Sequence, residues 1–148
     1  IHYASRTSMI SGFVCSAFDL FHAGHVALLK ECKQHCDYLI CGLHTDPNYN
    51  RPHKNKPVQS IYERYIQLSG CRYVDQIIPY DTENDLLNIL SIEKIDKRFL
   101  GTDYFNQSFT GKELCSRLNI EIIYIKRLHS YSSSELRKRI GYEQSDNI

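Results

Sequence analysis

The chain of 148 residues carries a formal net charge of +1 from 18 basic and 17 acidic side chains, and 42% of its residues are hydrophobic. This length fits one domain, which buries about two-thirds of the surface of its unfolded chain. The balanced charge excludes a global electrostatic attraction to nucleic acid or membranes, so any anion-binding site must be local. No apolar run approaches the roughly 20 residues that span a bilayer.

Short apolar segments alternate with helical patterns along the chain. Strands are predicted over residues 9–16, 38–43, 73–79, 98–101 and 120–125, which are rich in Val, Ile, Leu, Tyr and Cys. Helices are predicted over 25–36, 60–70, 82–91, 111–118 and 132–140. This alternation predicts an α/β fold, a Rossmann-like three-layer sandwich with a parallel five-stranded sheet and helices on both faces. Ligands of such sheets bind outside the carboxyl ends of the strands.

The ends of the chain and its cysteines complete the predicted organisation. We expect a disordered leader over residues 1–9, one domain over 10–140 and a flexible tail over 141–148. The six cysteines form no CxxC pair, and several lie in apolar runs. This usage favours reduced, buried thiols and a cytoplasmic protein.

The connection over residues 45–59 is longer than an ordinary loop and is rich in proline and basic side chains. These residues are Pro47, Arg51, Pro52, Lys54, Lys56 and Pro57. We interpret the segment as a functional loop, because its length exceeds that of an ordinary connection. The alternative for each lysine is a solvated surface charge.

The segment 18–25, FDLFHAGH, lies directly after the first predicted strand and directly before a helix. Helix amides and the positive end of the helix dipole favour an anion there, and Gly24 allows close approach of the backbone. Imidazole nitrogens of His22 and His25 can donate to phosphoryl oxygens. The segment therefore predicts a phosphate site, although an incidental histidine pair or a zinc pair is the alternative.

With HxGH present as His22-Ala23-Gly24-His25, the chain resembles the cytidylyltransferases of the nucleotidyltransferase superfamily, and the glycerol-3-phosphate cytidylyltransferases most closely. The likeness covers about residues 10–140. Its other parts are the segments 37–46 (DYLICGLHTD), 62–65 (YERY), 71–75 (CRYVD) and 100–104 (LGTDY), and Arg127 followed by serines at 132–134.

The resemblance implies that a phosphate oxygen of sn-glycerol 3-phosphate attacks the α-phosphorus of CTP in line and yields CDP-glycerol and pyrophosphate. It implies catalytic roles for His22, His25, Lys54 and Lys56, nucleotide contacts for Ala17, Phe18, Asp19, Gly24, Asp103, Arg127, Ser132 and Ser133, and acceptor phosphate contacts for Arg64 and Arg72. It also implies Mg²⁺ bound mainly through nucleotide phosphates, without a set of protein ligands, and a homodimer. The alternatives are a solvated Arg64 and serines that only cap a helix before Glu135.

Other functions stay open at this point. The HAGH element followed by a GxDY loop also resembles the adenylyltransferase domain that makes ADP-heptose. Phosphoethanolamine or phosphocholine would present the same phosphate group as glycerol 3-phosphate. Beyond enzymes of this kind, the sequence allows a silent nucleotide-binding module, or a zinc or redox protein that uses its histidines and cysteines.

Overall fold

The structure, a computed structural model, describes residues 9–49, 51–52, 54 and 56–146, with no side chains described for 142–146. The expected leader therefore lies outside the described residues except for Met9, and so do the last two residues of the expected tail. Within the described residues, no helix combines the length and the hydrophobicity needed to cross a membrane.

Five strands form one parallel sheet, which confirms the predicted Rossmann-like α/β fold. They are β1 (Ser11–Ser16), β2 (Tyr38–His44), β3 (Gln76–Tyr80), β4 (Lys97–Gly101) and β5 (Glu121–Ile125). The order across the sheet is β3-β2-β1-β4-β5, so the chain moves outward from β1 on one side and then returns to β4 on the other. The crevice beyond the carboxyl ends of β1 and β4 is the place where such sheets bind ligands.

Helices connect the strands and cover both faces of the sheet. They are α1 (Ala23–Gln34), α2 (Ile61–Ser69), α3 (Glu83–Ile92), α4 (Lys112–Arg117) and α5 (Ser133–Asp146), with a 3₁₀ turn over Thr102–Tyr104. Capping boxes start α2 at Ser60 and α3 at Thr82, where the cap hydroxyl and a carboxylate three residues later satisfy each other's amides.

The two largest differences from the predicted boundaries lie in β3 and α5. The strand β3 begins at Gln76 rather than at 73, because Val74 donates to the carbonyl of Cys71 in a turn, at an N···O distance of 3.2 Å. The helix α5 continues to Asp146, so the predicted end at residue 140 is wrong. Gly141 lies inside the helix because glycine weakens a helix without ending it.

The core forms two apolar layers, one on each face of the sheet, because successive strand residues point to opposite faces. One layer contains Phe13 of β1 with Leu86, Ile89 and Leu90 of α3. The other contains Val14, Leu29, Cys32, Leu39, Leu68 and Phe99, contributed by strands and by α1 and α2. All six cysteines are free thiols.

Close packing between β1 and β4 makes Gly12 a testable position. A Cβ atom at Gly12 would lie 2.5 Å from Cε2 of Phe99 and 2.8 Å from Sγ of Cys36. We expect Gly12→Ala to lower the free energy of unfolding by about 1–3 kcal/mol, as overpacking does, measured by urea unfolding followed by circular dichroism.

Gly70 provides the matched control. It ends α2 with a φ of −80°, and an added Cβ would meet nothing closer than the carbonyl oxygen of Gln67 at 3.5 Å. We expect Gly70→Ala to change the free energy of unfolding by less than about 0.5 kcal/mol. Equal unfolding midpoints for the two variants would contradict the packing argument.

Candidate active site

A cavity of about 1120 Å³ opens beyond the carboxyl ends of β1 and β4. This volume exceeds the roughly 300–1,000 Å³ of a pocket for one small molecule, so it has room for two substrates. Of the residues predicted from sequence, its wall contains Ala17, His22, Gly24, His25, Lys54, Asp103, Arg127, Ser132 and Ser133. Phe18, Asp19, Lys56, Arg64 and Arg72 do not contribute to the wall.

The two histidines form the cap of α1. Nδ1 of His22 accepts from the amide of Gly24 at 3.0 Å, and Nδ1 of His25 accepts from the amide of His22 at 3.2 Å. Because a backbone N–H donates to each Nδ1, the proton of each neutral ring must be on Nε2. The hydrogen bonds that start the helix thus leave two Nε2–H groups as donors. The helix begins at Ala23, two residues before the predicted start at residue 25. The prediction missed this start because histidine is not among the usual capping residues.

Both imidazoles are held neutral. Their rings stack with centroids 3.9 Å apart, and Phe18 and Phe21 contact the ring of His25. Burial, followed by the charge of His22, lowers the pKa of His25 to about 3, against an opposing effect of Asp19. Burial, followed by Arg127, also lowers the pKa of His22. At neutral pH the pair therefore supplies hydrogen-bond donors rather than cations.

Gly24 permits close packing at the start of α1. A Cβ atom there would lie 2.8 Å from Cε1 of His22 and 2.9 Å from the carbonyl oxygen of Tyr131. Only a hydrogen atom fits between the histidine ring and the loop that follows β5. Gly24 thus allows the start of α1 and the loop after β5, which both line the cavity, to pack in direct contact.

The start of α5 is joined to the histidine pair through a chain of hydrogen bonds. Nε2–H of His22 donates to Oγ of Ser133 at 3.2 Å, and the hydroxyl of Ser133 donates to the carbonyl of Asp19 at 3.1 Å. Oγ of Ser132 accepts from the amide of Glu135 at 3.1 Å, which is the capping role that the sequence also allowed. Arg127 is exposed and lines the same part of the cavity.

Phe18 and Asp19 are buried and do not line the cavity, so the structure does not bring their side chains to a nucleotide there. The side chain of Phe18 is fully buried, on a backbone with a φ of +48°, a conformation that is strained for a bulky residue. The carboxylate of Asp19 accepts from the amides of Val58 and Gln59 at 2.8 and 3.0 Å and from Nη2 of Arg137 at 2.8 Å. It fastens the 45–59 loop and α5 to the end of β1.

Arg64 is also a structural residue: its burial contradicts a solvated surface charge, and the structure does not bring it to the cavity wall. Its side chain is only 2% exposed. The guanidinium donates to the carbonyls of residues at the ends of β1 and β2 and before α2, at 2.6–3.1 Å: these are Ala17, His44, Thr45 and Gln59. These bonds satisfy carbonyls that the sheet leaves unpaired. The signal in the sequence is the spacing of four residues to Leu68, which places both on the buried face of α2.

Arg72 lies at the opposite edge of the sheet. It is exposed, it precedes β3, and its guanidinium stacks on the ring of Tyr73 at 5.5 Å. Because the amino and carboxyl ends of parallel strands lie at opposite edges, the structure does not bring Arg72 to the cavity. The predicted contact of Arg72 with the acceptor phosphate is therefore not supported by its place in this chain.

The basic loop contributes Lys54 and not Lys56 to the wall. The side-chain amide of Asn48 donates to the carbonyls of Pro52 and Lys54 at 3.0 and 2.8 Å, which folds the loop back over the cavity. The same loop supplies Arg51, whose Nε lies 3.3 Å from Oε1 of Glu83. We did not predict Arg51 as a site residue, although its loop was singled out by composition.

Comparison with known proteins agrees with this geometry. Residues 13–139 match the Cytidylyltransferase-like family. The chain is 37% identical over 130 residues to a probable ethanolamine-phosphate cytidylyltransferase of Encephalitozoon cuniculi, covering 83% of this chain and 37% of that protein. It is 30% identical over 131 residues to the bifunctional protein HldE of Granulibacter bethesdensis, covering 88% and 27%. The chain thus spans well under half the length of these relatives.

A solved structure shares the fold. The lipopolysaccharide core biosynthesis protein of Thermoplasma volcanium superposes with a TM-score of 0.63 and 29% identity, over 84% of this chain and all of that one.

The pKa of His25 predicts a pH dependence of stability. Between about pH 3 and the ordinary value of 6.5, the unfolded state binds a proton at this ring and the folded state does not, so the free energy of unfolding falls as the pH is lowered through this range. In His25→Asn, whose Oδ1 can replace Nδ1 as the acceptor, this contribution is absent. We expect the free energy of unfolding of wild type to fall relative to that of the variant from pH 6.5 to pH 4.5, measured by urea unfolding. A difference independent of pH would contradict the burial of a neutral ring.

Proposed function

Since this chain belongs to the cytidylyltransferase-like family, we propose that it transfers CMP from CTP to a phosphorylated small molecule and releases pyrophosphate. The observation that carries the proposal is the pair of Nε2–H donors on neutral imidazoles at the start of α1, fixed by backbone amides. The pair lies in the wall of a cavity large enough for a nucleotide and a second substrate.

The reaction balances without a covalent enzyme intermediate. A phosphate oxygen of the acceptor bonds to the α-phosphorus of CTP while the bond from that phosphorus to the bridging oxygen breaks, and its electron pair leaves with pyrophosphate. The α-phosphoryl oxygens, on which negative charge increases, accept hydrogen bonds from His22 and His25. A neutral imidazole keeps its Nε2 proton at pH 7, so each ring donates a hydrogen bond and does not transfer a proton.

The triphosphate is proposed to lie between α1 and α5. Arg127, Ser132 and Ser133 line this part of the cavity, and the unpaired amides at the start of α5 favour an anion. Nε2–H of His22 donates to the hydroxyl of Ser133 in this structure. A phosphate oxygen would accept from the same Nε2–H group and replace the hydroxyl. Lys54 approaches from the 45–59 loop and is proposed to pair with the acceptor phosphate.

The side chains fit a Mg²⁺ ion carried by the triphosphate. Among the residues that the structure describes, no group of three or more His, Cys, Asp or Glu side chains could hold a metal by itself. Mg²⁺ commonly keeps several waters and binds through substrate phosphates. A bound Mg²⁺ ion would neutralise charge on the triphosphate. The carboxylate of Asp103 lies in the wall of the same cavity.

We propose sn-glycerol 3-phosphate as the acceptor, which makes CDP-glycerol the product. Phosphoethanolamine is the second candidate, and it is supported by the identity of 37% to a probable ethanolamine-phosphate cytidylyltransferase. Both acceptors present a phosphomonoester dianion to Lys54, so they differ only at the end that does not react.

We also propose a homodimer, supported by an exposed apolar stripe on α2. Tyr62, Tyr65 and Ile66 are 79%, 43% and 68% exposed, and their spacing puts them on one face of the helix. Aromatic residues are enriched at the buried centres of protein interfaces. This stripe is therefore a candidate contact surface between two copies.

Pyrophosphate release tests the function. CTP and ATP, each with Mg²⁺, are to be combined with glycerol 3-phosphate, phosphoethanolamine, phosphocholine and a hexose 1-phosphate. We expect turnover with CTP and glycerol 3-phosphate, and turnover only with ATP would move the protein to adenylyl transfer. Thermal stabilisation by CTP without pyrophosphate in any combination would instead support a silent binding module.

Asparagine variants separate catalysis from helix capping. In His22→Asn and His25→Asn, Oδ1 can still accept the capping amide, but the Nε2–H donor is lost. We expect each variant to lower kcat roughly 10²- to 10³-fold, as loss of one transition-state donor does, with little change in the melting temperature. Arg72→Ala, at the far edge of the sheet, serves as the control with unchanged kinetics. Near-normal turnover of both histidine variants would refute the proposed role.

The dimer is tested by sedimentation velocity at micromolar concentrations. We expect wild type to sediment as a dimer and Ile66→Glu as a monomer, because the charge would be buried in the contact. Ile92→Glu is the matched control, since Ile92 is 79% exposed on α3, away from the stripe. A monomeric wild type, or equal effects of both substitutions, would contradict the proposal.

A further inference from the structure

Arg98 is a buried cation in an apolar layer. Its position in β4 is level with Phe13 of β1 and Ile122 of β5, and both of these belong to the core on the α3 face. Its side chain is only 2% exposed. The neighbouring Phe99 faces the other layer, so Arg98 and the histidine pair lie on different sides of the sheet while lining the same cavity.

The guanidinium of Arg98 is incompletely satisfied by the described part of the protein. Nη1 donates to the carbonyl of Thr110 and lies 3.9 Å from Sγ of Cys115. Nε is buried and has no hydrogen-bond acceptor. None of the ion pairs among the described residues involves this arginine. A buried guanidinium with an unpaired donor is unfavourable, so an oxygen acceptor placed beside it in the cavity would stabilise it.

Neighbouring residues extend this feature into a subsite. The Arg98 lobe is the part of the cavity wall formed by Glu83, Arg98, Phe109 and Thr110, and its members are linked by contacts. The hydroxyl of Thr110 donates to Glu83, and the guanidinium of Arg98 covers the ring of Phe109 at 5.2 Å. Arg51 pairs with Glu83 at the rim.

The charges of the Arg98 lobe disfavour an ammonium group. Arg98, Arg51 and Lys54 line the cavity, and Glu83, the carboxylate of the lobe, already binds Arg51 and Thr110. An aromatic face could otherwise hold an ammonium ion. The ring of Phe109, however, already contacts Arg98 at 5.2 Å and Lys112 at 5.8 Å.

We propose that the Arg98 lobe binds the non-reacting end of the phosphorylated acceptor, and that Arg98 selects an end that carries hydroxyl or carboxylate oxygens over an end that carries an ammonium group. The inference rests on the proposed transfer of CMP and assigns a specificity-determining residue within it. Hydroxyl and carboxylate oxygens can accept from the guanidinium, whereas an ammonium group has no lone pair and is repelled.

Acceptor kinetics test the proposal with saturating Mg·CTP. The acceptors are glycerol 3-phosphate and 3-phosphoglycerate, compared with phosphoethanolamine and phosphocholine. We expect wild type to favour the first two in kcat/KM, and Arg98→Met to lower kcat/KM for them roughly 10- to 100-fold, as loss of a hydrogen bond to a charged group does, mainly through KM. The KM for CTP should stay within about twofold of wild type, and the kcat/KM for the ammonium acceptors should not fall and should rise if repulsion by Arg98 limits their binding.

The controls separate folding, function and specificity. Arg98→Lys keeps the charge and should recover part of the preference, and it replaces Arg98→Met if that variant does not fold. An equal loss for all acceptors, or a wild-type preference for phosphoethanolamine, would overturn the proposal.

Direct binding distinguishes failure of the proposed function from failure of this inference. If no acceptor yields pyrophosphate, CMP transfer fails as the activity, and calorimetric binding of glycerol 3-phosphate and phosphoethanolamine to wild type and Arg98→Met still tests the lobe. Tighter binding of glycerol 3-phosphate that is lost in the variant would support the lobe. Equal affinities in both proteins would refute it.

Discussion

The carboxylate of Asp19 receives hydrogen bonds from two distant parts of the chain, the amides of Val58 and Gln59 and the guanidinium of Arg137. A carboxylate that is only 6% exposed needs such donors, because an unsatisfied buried charge would destabilise the fold. The result is that the end of β1, the basic loop and α5 are held at one point. Each of these segments contributes to the wall of the cavity, so the spacing between them in the wall depends on this one interaction.

A second constraint joins folding to chemistry at the start of α1. The amides that need partners at a helix start find them in Nδ1 of His22 and His25. The same bonds decide which nitrogen of each ring carries the proton, and the two rings stack with centroids 3.9 Å apart. Helix formation and orientation of the donors are therefore one event, and the apolar surroundings of Phe18 and Phe21 keep the rings uncharged.

The sequence predicted the sheet, its helices and the histidine pair, because periodicity and the strand-motif-helix order are local signals. It did not predict the arginines well. Arg64 binds carbonyls from three separate segments and Arg98 lies within an apolar row, and neither environment is encoded by neighbouring residues. Arg72 is different: it precedes the predicted third strand, so the parallel topology by itself places it away from the carboxyl ends.

The alternation of side chains along β4 has an evolutionary consequence. Arg98 faces the layer of α3, and Phe99 faces the layer of α1, so adjacent codons serve opposite halves of the cavity. A substitution on the α3 side leaves the histidine motif and α5 untouched. Relatives built on this scaffold could therefore change residues on one side of the strand while residues on the other side stay under unchanged selection, which makes the strand a natural site for the emergence of new paralogues.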